Sequence, residues 1–378
     1  MISEGSPESW VNFSSKTWNA TKIATVLNNM PVSGASVMIN IPGPMPWMDL
    51  NNDGKVDDDL KWMYANWCAA LVKVVNKDMG KKIVYWEPIN EPDHKYSGSS
   101  DMYHLADLFK QCYDAMKAVD GTIKVGGPAW SQPWDADIDH FLYNMQGSTK
   151  IDFWTHHEYF GCGITDITEI YGKDLSWGAN NVRAKLDAKG FNSLPIWIDE
   201  YNIQWAWDCG GSANMTNAVG AVFDALIFKR AIENGNISRM AAWNAADGTY
   251  GKIRSDFSAL TPGGQVYKAF NAYGRGDVKK TTTSDAAKVE GYAVKASNGN
   301  MMFALMCKNA SASAKLNVSG FTPASTSVLK RVISGSGVTE STVTWSQATS
   351  TQSLSANTVT ILLPARQAVR QALLKLVT

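Results

Sequence analysis

The chain reads YWEPINEP at residues 85–92 and PIWIDEYN at residues 195–202. Each stretch is a short apolar run that ends in a carboxylate, Glu91 in the first and Glu200 in the second. A run of this kind predicts a strand that is buried on both faces. Because the parallel strands of a barrel end at one mouth, we expect the two acids to converge there. A facing pair of carboxylates suits acid–base and nucleophilic work on a glycosidic bond.

Strands and helices alternate along most of the chain, which predicts a parallel sheet and a TIM-type (β/α) barrel in the α/β class. The predicted strands are 36–42, 83–90, 122–128, 151–159, 195–202 and 240–245, with helices at 60–76, 101–119, 138–145, 180–189, 213–233 and 264–273. An eight-stranded barrel needs two more strands, yet residues 1–35 suggest only a helix at 15–29. The barrel is therefore predicted to be incomplete at its N-terminus, with about six readable β/α units.

An incomplete barrel would leave strand edges that must be covered. Either residues 1–35 pack over the gap or a second subunit does. We favour a homo-oligomer, because residues 1–14 offer little apolar surface.

The composition shifts near residue 275 to Ser, Thr, Val, Ala and Asn, in short alternating runs. This pattern predicts an antiparallel β-sandwich. We therefore predict a catalytic barrel at 1–275, a β-sandwich domain at 276–364 and a tail at 365–378.

Length and charge exclude several kinds of partner. The chain has 378 residues and zero net charge, which argues against a nucleic-acid partner. No apolar run is long enough to span a membrane. The first six residues, MISEGS, lack the pattern of a signal peptide. Either the protein is intracellular or, as we expect, it is secreted or periplasmic with the signal outside this chain.

Fourteen of the fifteen tryptophans precede residue 275. Six of them lie at or just beyond predicted strand ends: Trp47, Trp130, Trp134, Trp205, Trp207 and Trp243. Flat aromatic faces at the rim of a barrel suit stacking on sugar rings, although each of these residues could instead anchor a loop.

The five cysteines are odd in number and widely spaced, so they indicate neither a zinc site nor a disulfide framework. Cys162 and Cys209 each follow a strand end and could pair in an oxidising compartment.

At the two acidic stretches the chain resembles the clan A retaining glycoside hydrolases, most closely family 39, with families 51, 30 and 5 as relatives. The resemblance covers roughly residues 36–275. It implies that Glu91 is the acid/base and Glu200 the nucleophile. An acid of this kind needs a raised pKa in order to donate its proton near neutral pH.

The same resemblance assigns substrate-binding residues. Asn90 matches an asparagine that hydrogen-bonds the sugar 2-hydroxyl, and His157 and Tyr159 match a His-x-Tyr pair near the nucleophile. Trp243 matches an aromatic floor under the reacting sugar. Trp47 and Trp205 are the further aromatic candidates.

The loop at residues 49–59, DLNNDGKVDDD, has oxygen ligands at the spacing of a calcium loop with glycine at position six. The predicted ligands are Asp49, Asn51, Asp53, the Lys55 carbonyl and Asp59. The alternative is a solvated acidic turn at the start of a helix.

We therefore expect a retaining β-glycoside hydrolase of the β-xylosidase or xylanase kind, acting on plant or algal poly- and oligosaccharides without a catalytic cofactor. An endo-glucanase or another β-glycanase is the alternative. A catalytically impaired, carbohydrate-binding barrel is the rival from another class.

Overall fold

The alternation of strands and helices is confirmed in the computed structural model, which describes residues 10–29, 36–323 and 325–364. The predicted tail at 365–378 lies outside these ranges. The elements up to residue 273 are β1 (Val11–Asn12), β2 (Thr17–Trp18), α1 (Ala20–Asn29), β3 (Met38–Asn40), α2 (Lys61–Val72), β4 (Tyr85–Glu87), α3 (Gly98–Val119), β5 (Lys124–Val125), β6 (Gly127–Trp130), α4 (Asp137–Met145), β7 (Trp154–Tyr159), α5 (Ile167–Gly172), α6 (Ser176–Ala188), β8 (Ile196–Asn202), α7 (Ala218–Asn234), β9 (Ile237–Ala242) and α8 (Pro262–Tyr273).

Strands dominate the described residues after 273, with one short helix among them. The elements are β10 (Asp277–Lys279), β11 (Val289–Lys295), β12 (Met301–Cys307), β13 (Ala312–Lys315), β14 (Ser327–Ser334), β15 (Gly337–Thr344), the helix α9 (Trp345–Thr349), β16 (Thr351–Leu354) and β17 (Thr358–Pro364). The described residues divide into two compact units. The first comprises the described residues up to Tyr159, with Leu175–Tyr201 and Asn234–Asn244, and the second comprises Phe160–Asp174, Asn202–Glu233 and the described residues from Ala245 onward.

The first unit holds the parallel strands of the barrel, in the sheet orders β3-β4-β5 and β6-β7-β8-β9. Gly126 alone separates β5 from β6. A Cβ at this position would collide with the ring of Phe153, so only glycine lets the two strands follow each other so closely. All six predicted strands are thus present.

Alternate residues of these strands point inward and stack in layers, as in a packed barrel. The lowest layer is aromatic: the Trp197 ring lies 4.0 Å from that of Phe153 and 4.8 Å from that of Tyr85. The Arg239 guanidinium lies 4.5 Å from the Tyr85 centroid and 4.7 Å from the Trp197 centroid. The polar side chains of the candidate active site lie in the layers above this aromatic layer.

The N-terminal segment joins the core of the first unit. The Trp18 ring stacks on Trp67 at 4.3 Å, and its indole N–H donates to the Trp67 carbonyl at 2.9 Å. Ile23 and Leu27 of α1 are buried in the same cluster. Within the described ranges, β3 and β9 each have one strand neighbour. The missing barrel units and the homo-oligomer stay predictions.

The second unit contains α5, α7, α8 and the C-terminal sheets. The strands β10-β11-β12-β17-β14-β15 form one antiparallel sheet, and β13 pairs with β16 in a separate ribbon. Glu290 of β11 accepts a hydrogen bond from Arg230 of α7 at 2.7 Å and lies 2.8 Å from the Lys308 ammonium. The sheet-rich C-terminal region is confirmed, while the sandwich arrangement and the boundary at residue 275 stay predictions. No helix among the described residues is long and apolar enough to cross a membrane.

Candidate active site

Strand β7 organises the polar interior of the first unit. Side chains alternate along a strand, so every second residue of β7 faces the barrel axis. Each of these three residues contacts at least one carboxyl group from another part of the chain. The pairs are Thr155 with Glu87, His157 with Glu91 at 2.8 Å, and Tyr159 with Glu200 at 2.7 Å. The two acids predicted from the sequence are therefore brought together around consecutive inward positions of β7.

A bulge in β8 brings Asp199 and Glu200 to the same histidine. Strict alternation would turn neighbouring residues to opposite faces, but the pairing of β8 with β9 shifts register between Ile198 and Tyr201, and a bulge re-aims side chains. As a result, Asp199 Oδ2 lies 3.3 Å from His157 Nε2, and Glu200 Oε2 lies 3.5 Å from His157 Nδ1. Sequence reasoning missed Asp199, although its position beside Glu200 in the apolar run was the available signal.

Glu91 has an unusual backbone conformation. Its φ is +44°, in the left-handed region, which costs a non-glycine residue roughly 1 kcal/mol. Its peptide N–H donates to the carbonyl of Ala129 at 2.9 Å, and Ala129 itself has a φ of +53°. Backbone of this kind is concentrated at functional sites. Here it turns the Glu91 side chain toward β7 just before the chain enters Pro92.

His157 is the electrostatic centre of the site. Its side chain is fully buried, and burial by itself lowers the pKa of an imidazole. The carboxyl groups of Glu200, Asp199 and Glu91 outweigh this effect and raise the His157 pKa well above its ordinary value. Both ring nitrogens face carboxyl oxygens, so the ring is held as an imidazolium.

The raised pKa belongs to Glu200 and not to Glu91, for which it was expected. Burial raises the pKa of Glu200 to about 7, although His157 and Tyr159 lower it. Burial also raises the pKa of Glu91, but the hydrogen bond and charge of His157 outweigh burial and leave the Glu91 pKa below its ordinary value. The expectation of a raised pKa for Glu91 is therefore wrong, because His157 lies closer to Glu91 than to Glu200.

A second polar layer lies below the acids. Asn40, at the end of β3, donates to Glu87 Oε2 at 2.7 Å and to Asn90 Oδ1 at 3.1 Å. Burial, together with the charge of Asp199, raises the Glu87 pKa well above its usual range. Glu87 accepts hydrogen bonds from Thr155 and Asn40 and so holds both side chains in place. Asn90 is positioned through its oxygen, beside the predicted acid.

The aromatic candidates of the first unit lie in different settings. The Trp243 peptide N–H donates to the Tyr201 carbonyl at 3.0 Å, directly after β9. Trp47 packs edge-on against Phe13 and Trp67, with ring centroids 5.8 and 5.6 Å away. Trp130 is fully buried, so its interpretation as a rim residue is wrong: the last residue of β6 turns into the core.

Trp205 and Trp207 belong to the second unit, and the side chain of Trp207 is exposed. Trp205 is the candidate with resolved backbone contacts. It is exposed, its peptide N–H donates to the Gly161 carbonyl at 3.2 Å, and its own carbonyl accepts from the Tyr250 hydroxyl at 2.9 Å. A disulfide joins Cys162 and Cys209, whose Cα atoms lie 5.5 Å apart. The pairing that the sequence left open is thus present. The disulfide restrains the loop that carries Trp205.

The acidic loop is folded around its own oxygens. Asp49 accepts from the peptide N–H groups of Asp53 and Gly54 at 3.0 and 2.9 Å, and Asn51 Oδ1 accepts from Asp53 N–H at 3.0 Å. The Lys55 peptide N–H donates to Asp53 at 2.9 Å. Asp59 is exposed on the short 3₁₀ helix that follows the loop. The donor set is rich in carboxylate and amide oxygen, which is the chemistry that calcium prefers.

The acids and the histidine form one compact group. Ligand atoms of Glu91, His157 and Glu200 all lie within 4.8 Å of one another, a spacing at which they could also hold a metal ion. An acid held by a histidine, facing a second acid held by a tyrosine hydroxyl, can both donate a proton and attack an electrophilic carbon.

One family of known proteins matches the part of the chain that carries these residues. The model of the glycosyl hydrolases family 39 matches residues 53–246, which include every residue of the acid and histidine group. A comparison with curated protein sequences gives no match.

Solved structures share the fold. A monomeric β-xylosidase from Caulobacter crescentus has a TM-score of 0.68 at 17% identity, over 93% of this chain and 85% of that one. CelM2, a bifunctional glucanase-xylanase from a metagenome library, has a TM-score of 0.65 at 17% identity, over 94% and 87%. A family 30 subfamily 8 xylanase from Clostridium acetobutylicum has a TM-score of 0.62 at 18% identity, over 96% and 87%.

The family match spans half of the chain and contains both strand-end acids. The protein is a glycoside hydrolase of clan A, and the chain belongs to the glycosyl hydrolases family 39.

Proposed function

We propose that the protein is a retaining β-glycoside hydrolase of the β-xylosidase or xylanase kind, which works by double displacement on plant or algal poly- and oligosaccharides. The observation that carries the proposal is the approach of Glu91 and Glu200, whose carboxyl oxygens lie within 4.8 Å. Retaining enzymes have carboxyl groups about 5–5.5 Å apart, whereas inverting enzymes leave roughly 6.5–9.5 Å for a water molecule.

In the first step an oxygen of Glu200 attacks the anomeric carbon, and the bond from that carbon to the leaving oxygen breaks. Glu91 gives its proton to the leaving oxygen. In the second step a water molecule attacks the anomeric carbon, Glu91 takes the proton of that water, and Glu200 leaves as a carboxylate. The hydrogen bond from Tyr159 supports Glu200 in its charged form.

This mechanism requires the proton on Glu91 and the charge on Glu200, whereas His157 lowers the pKa of Glu91 and burial raises the pKa of Glu200 to about 7. The three groups interact closely, so they titrate as one system and not as separate acids.

The sugar would be held by groups on several strands. Asn90, which lies beside Glu91 and accepts a hydrogen bond from Asn40, would bind the 2-hydroxyl. Trp243 follows β9 and would form the aromatic floor, with His157 and Tyr159 around the reacting carbon. Trp47 and Trp205 are proposed for more distant sugars. The close group of Glu91, His157 and Glu200 supports the assignments of the residues beside it in the first unit.

A hydrolysis panel with product analysis tests the proposal. We expect turnover of aryl β-xylosides and of xylan or xylo-oligosaccharides, with the β-anomer as the first product seen by proton NMR. Glucan, mannan and agar substrates in the same panel test the other β-glycanase activities. The α-anomer as first product would refute retention. Equal activity of a Glu91→Gln variant would refute the role of the site.

We also propose a structural calcium ion in the loop at 49–59, held by Asp49, Asn51, Asp53 and the Lys55 carbonyl. Asp59 is the acid first assigned to complete the set. Asp57 is a further acid at the loop, because it accepts from the Leu50 peptide N–H at 2.9 Å.

Chelation tests the calcium site. An ion that binds only the folded state stabilises it by about 2.7 kcal/mol when its concentration is 100 times its Kd. Excess chelator at neutral pH is therefore expected to lower the Tm by several degrees, and added calcium should restore it. An Asp53→Asn variant, matched in size, should respond less. An unchanged Tm with chelator would identify a plain acidic turn.

A further inference from the structure

Two tryptophans lie side by side and exposed on the surface of the first unit. The side chains of Trp134 and Trp177 are 45% and 61% exposed, and their ring centroids are 5.9 Å apart with an interplanar angle of 46°. Because the rings are tilted and not stacked, they do not cover each other. A pair of large apolar rings held open to solvent is costly, which indicates that something else covers them.

Contacts between α6 and the segment that carries Trp134 hold the two rings next to each other. Trp177 lies in the first turn of α6, next to Gly178. A Cβ at Gly178 would come within 2.6 Å of Pro133 Cγ, so glycine allows the helix to approach the segment that carries Trp134. The side chain of Asn181, one turn further along α6, donates to the Pro133 carbonyl at 2.7 Å. These contacts fix the distance between the two rings.

The same segment is tied to the loop that carries the acid/base. The Ser131 peptide N–H donates to Asp93 Oδ1 at 2.9 Å, and its hydroxyl donates to the other oxygen of Asp93. Asp93 lies two residues after Glu91. Trp134 lies three residues after Ser131, in the loop that follows β6. Trp177 begins a helix of a β/α unit, and such helices begin at the carboxyl ends of the strands. The ring pair is thus on the catalytic face.

We infer that Trp134 and Trp177 form a sugar-stacking subsite for the leaving-group side of a β-linked glycan chain. The inference rests on the proposed function, since Glu91 protonates the leaving oxygen and the ring pair is attached to the Glu91 loop. The apolar faces of two consecutive pyranose rings would lie on the two indoles. The occupant is uncharged because stacking, and not ion pairing, holds it. The subsite makes the enzyme favour chains over single glycosides.

Isothermal titration of xylohexaose and cellohexaose tests the inference in a Glu200→Gln background, which prevents turnover. We expect Trp134→Ala/Trp177→Ala to weaken the binding of at least one hexasaccharide roughly 5- to 30-fold. In the active protein, the same double variant is expected to hydrolyse an aryl β-xyloside with a KM within about twofold of the parent, because that substrate does not reach the subsite. Tyr143→Ala is the control, since Tyr143 is equally exposed near the carboxyl-terminal end of α4.

Unchanged affinity for both hexasaccharides would overturn the subsite. It would also be overturned if the double variant lost only a dimer, seen as a fall in sedimentation mass, without any loss of glycan affinity. Failure of the proposed function gives a different result. The parent protein would then hydrolyse no glycoside, while the titrations would still show whether the two tryptophans bind a chain.

Discussion

Glu200→Ala is expected to lower kcat on every substrate by at least ~10⁴-fold, because it removes the group that forms the glycosyl–enzyme bond. The side chain is buried at the end of β8, so its removal leaves space beside the anomeric carbon. Small anions such as azide should enter this space and restore turnover of aryl glycosides with good leaving groups. The product should be a glycosyl azide of inverted configuration, because one displacement replaces two.

The product configuration, read by NMR, is the decisive measurement for Glu200. Glu233→Ala is a suitable control, since Glu233 is an exposed glutamate that pairs with Lys229 on α7. Near-normal activity of Glu200→Ala would contradict the assignment. An equal increase in activity when azide is added to the control would also contradict the assignment, because the control variant opens no space at the anomeric carbon.

For Glu91→Ala we expect a loss that depends on the leaving group. Glycosides with poor leaving groups need a proton in the transition state, so their kcat/KM should fall roughly 10²–10⁴-fold. Aryl glycosides with acidic phenols leave without help, and their first step should be nearly unaffected. A plot of log kcat/KM against the pKa of the leaving phenol should therefore be steep for the variant and shallow for the parent.

His94→Ala gives the matched control for Glu91. His94 Nδ1 lies 3.5 Å from Glu91 Oε2, but His94 is a weaker partner than the buried His157. Its removal should leave the slope of the plot close to that of the parent. Equal losses across all leaving groups in Glu91→Ala would show that Glu91 positions the substrate and does not protonate it.

The position of the two acids was predictable because it follows from the residues next to them in the sequence. An apolar run that ends in Glu91 or Glu200 reads as a buried strand with its acid at the strand end, whatever the rest of the chain does. The alternation of strands and helices fixed the class of fold in the same way. The His157 and Tyr159 pair followed from resemblance, and the period of two explains why both face the acids.

The contacts that these residues make could not be predicted from their neighbours in the sequence. Asp199 reaches His157 only because β8 is bulged against β9, and register depends on pairing between segments that are far apart in the chain. The order of the pKa values of Glu91 and Glu200 depends on which carboxyl group comes closer to one imidazole, a difference of under an ångström (2.8 against 3.5 Å).

The sequence alone therefore determined that this protein has one acid in a buried strand and one in the segment just after a strand, a β/α architecture and a sheet-rich C-terminal region, because hydrophobic period is a property of neighbouring residues. Only the tertiary structure decided that Glu91 has a left-handed backbone, that Trp130 is core, and that Trp134 meets Trp177. Each of these depends on packing between segments distant in sequence, where a single close contact such as Gly178 against Pro133 selects one arrangement.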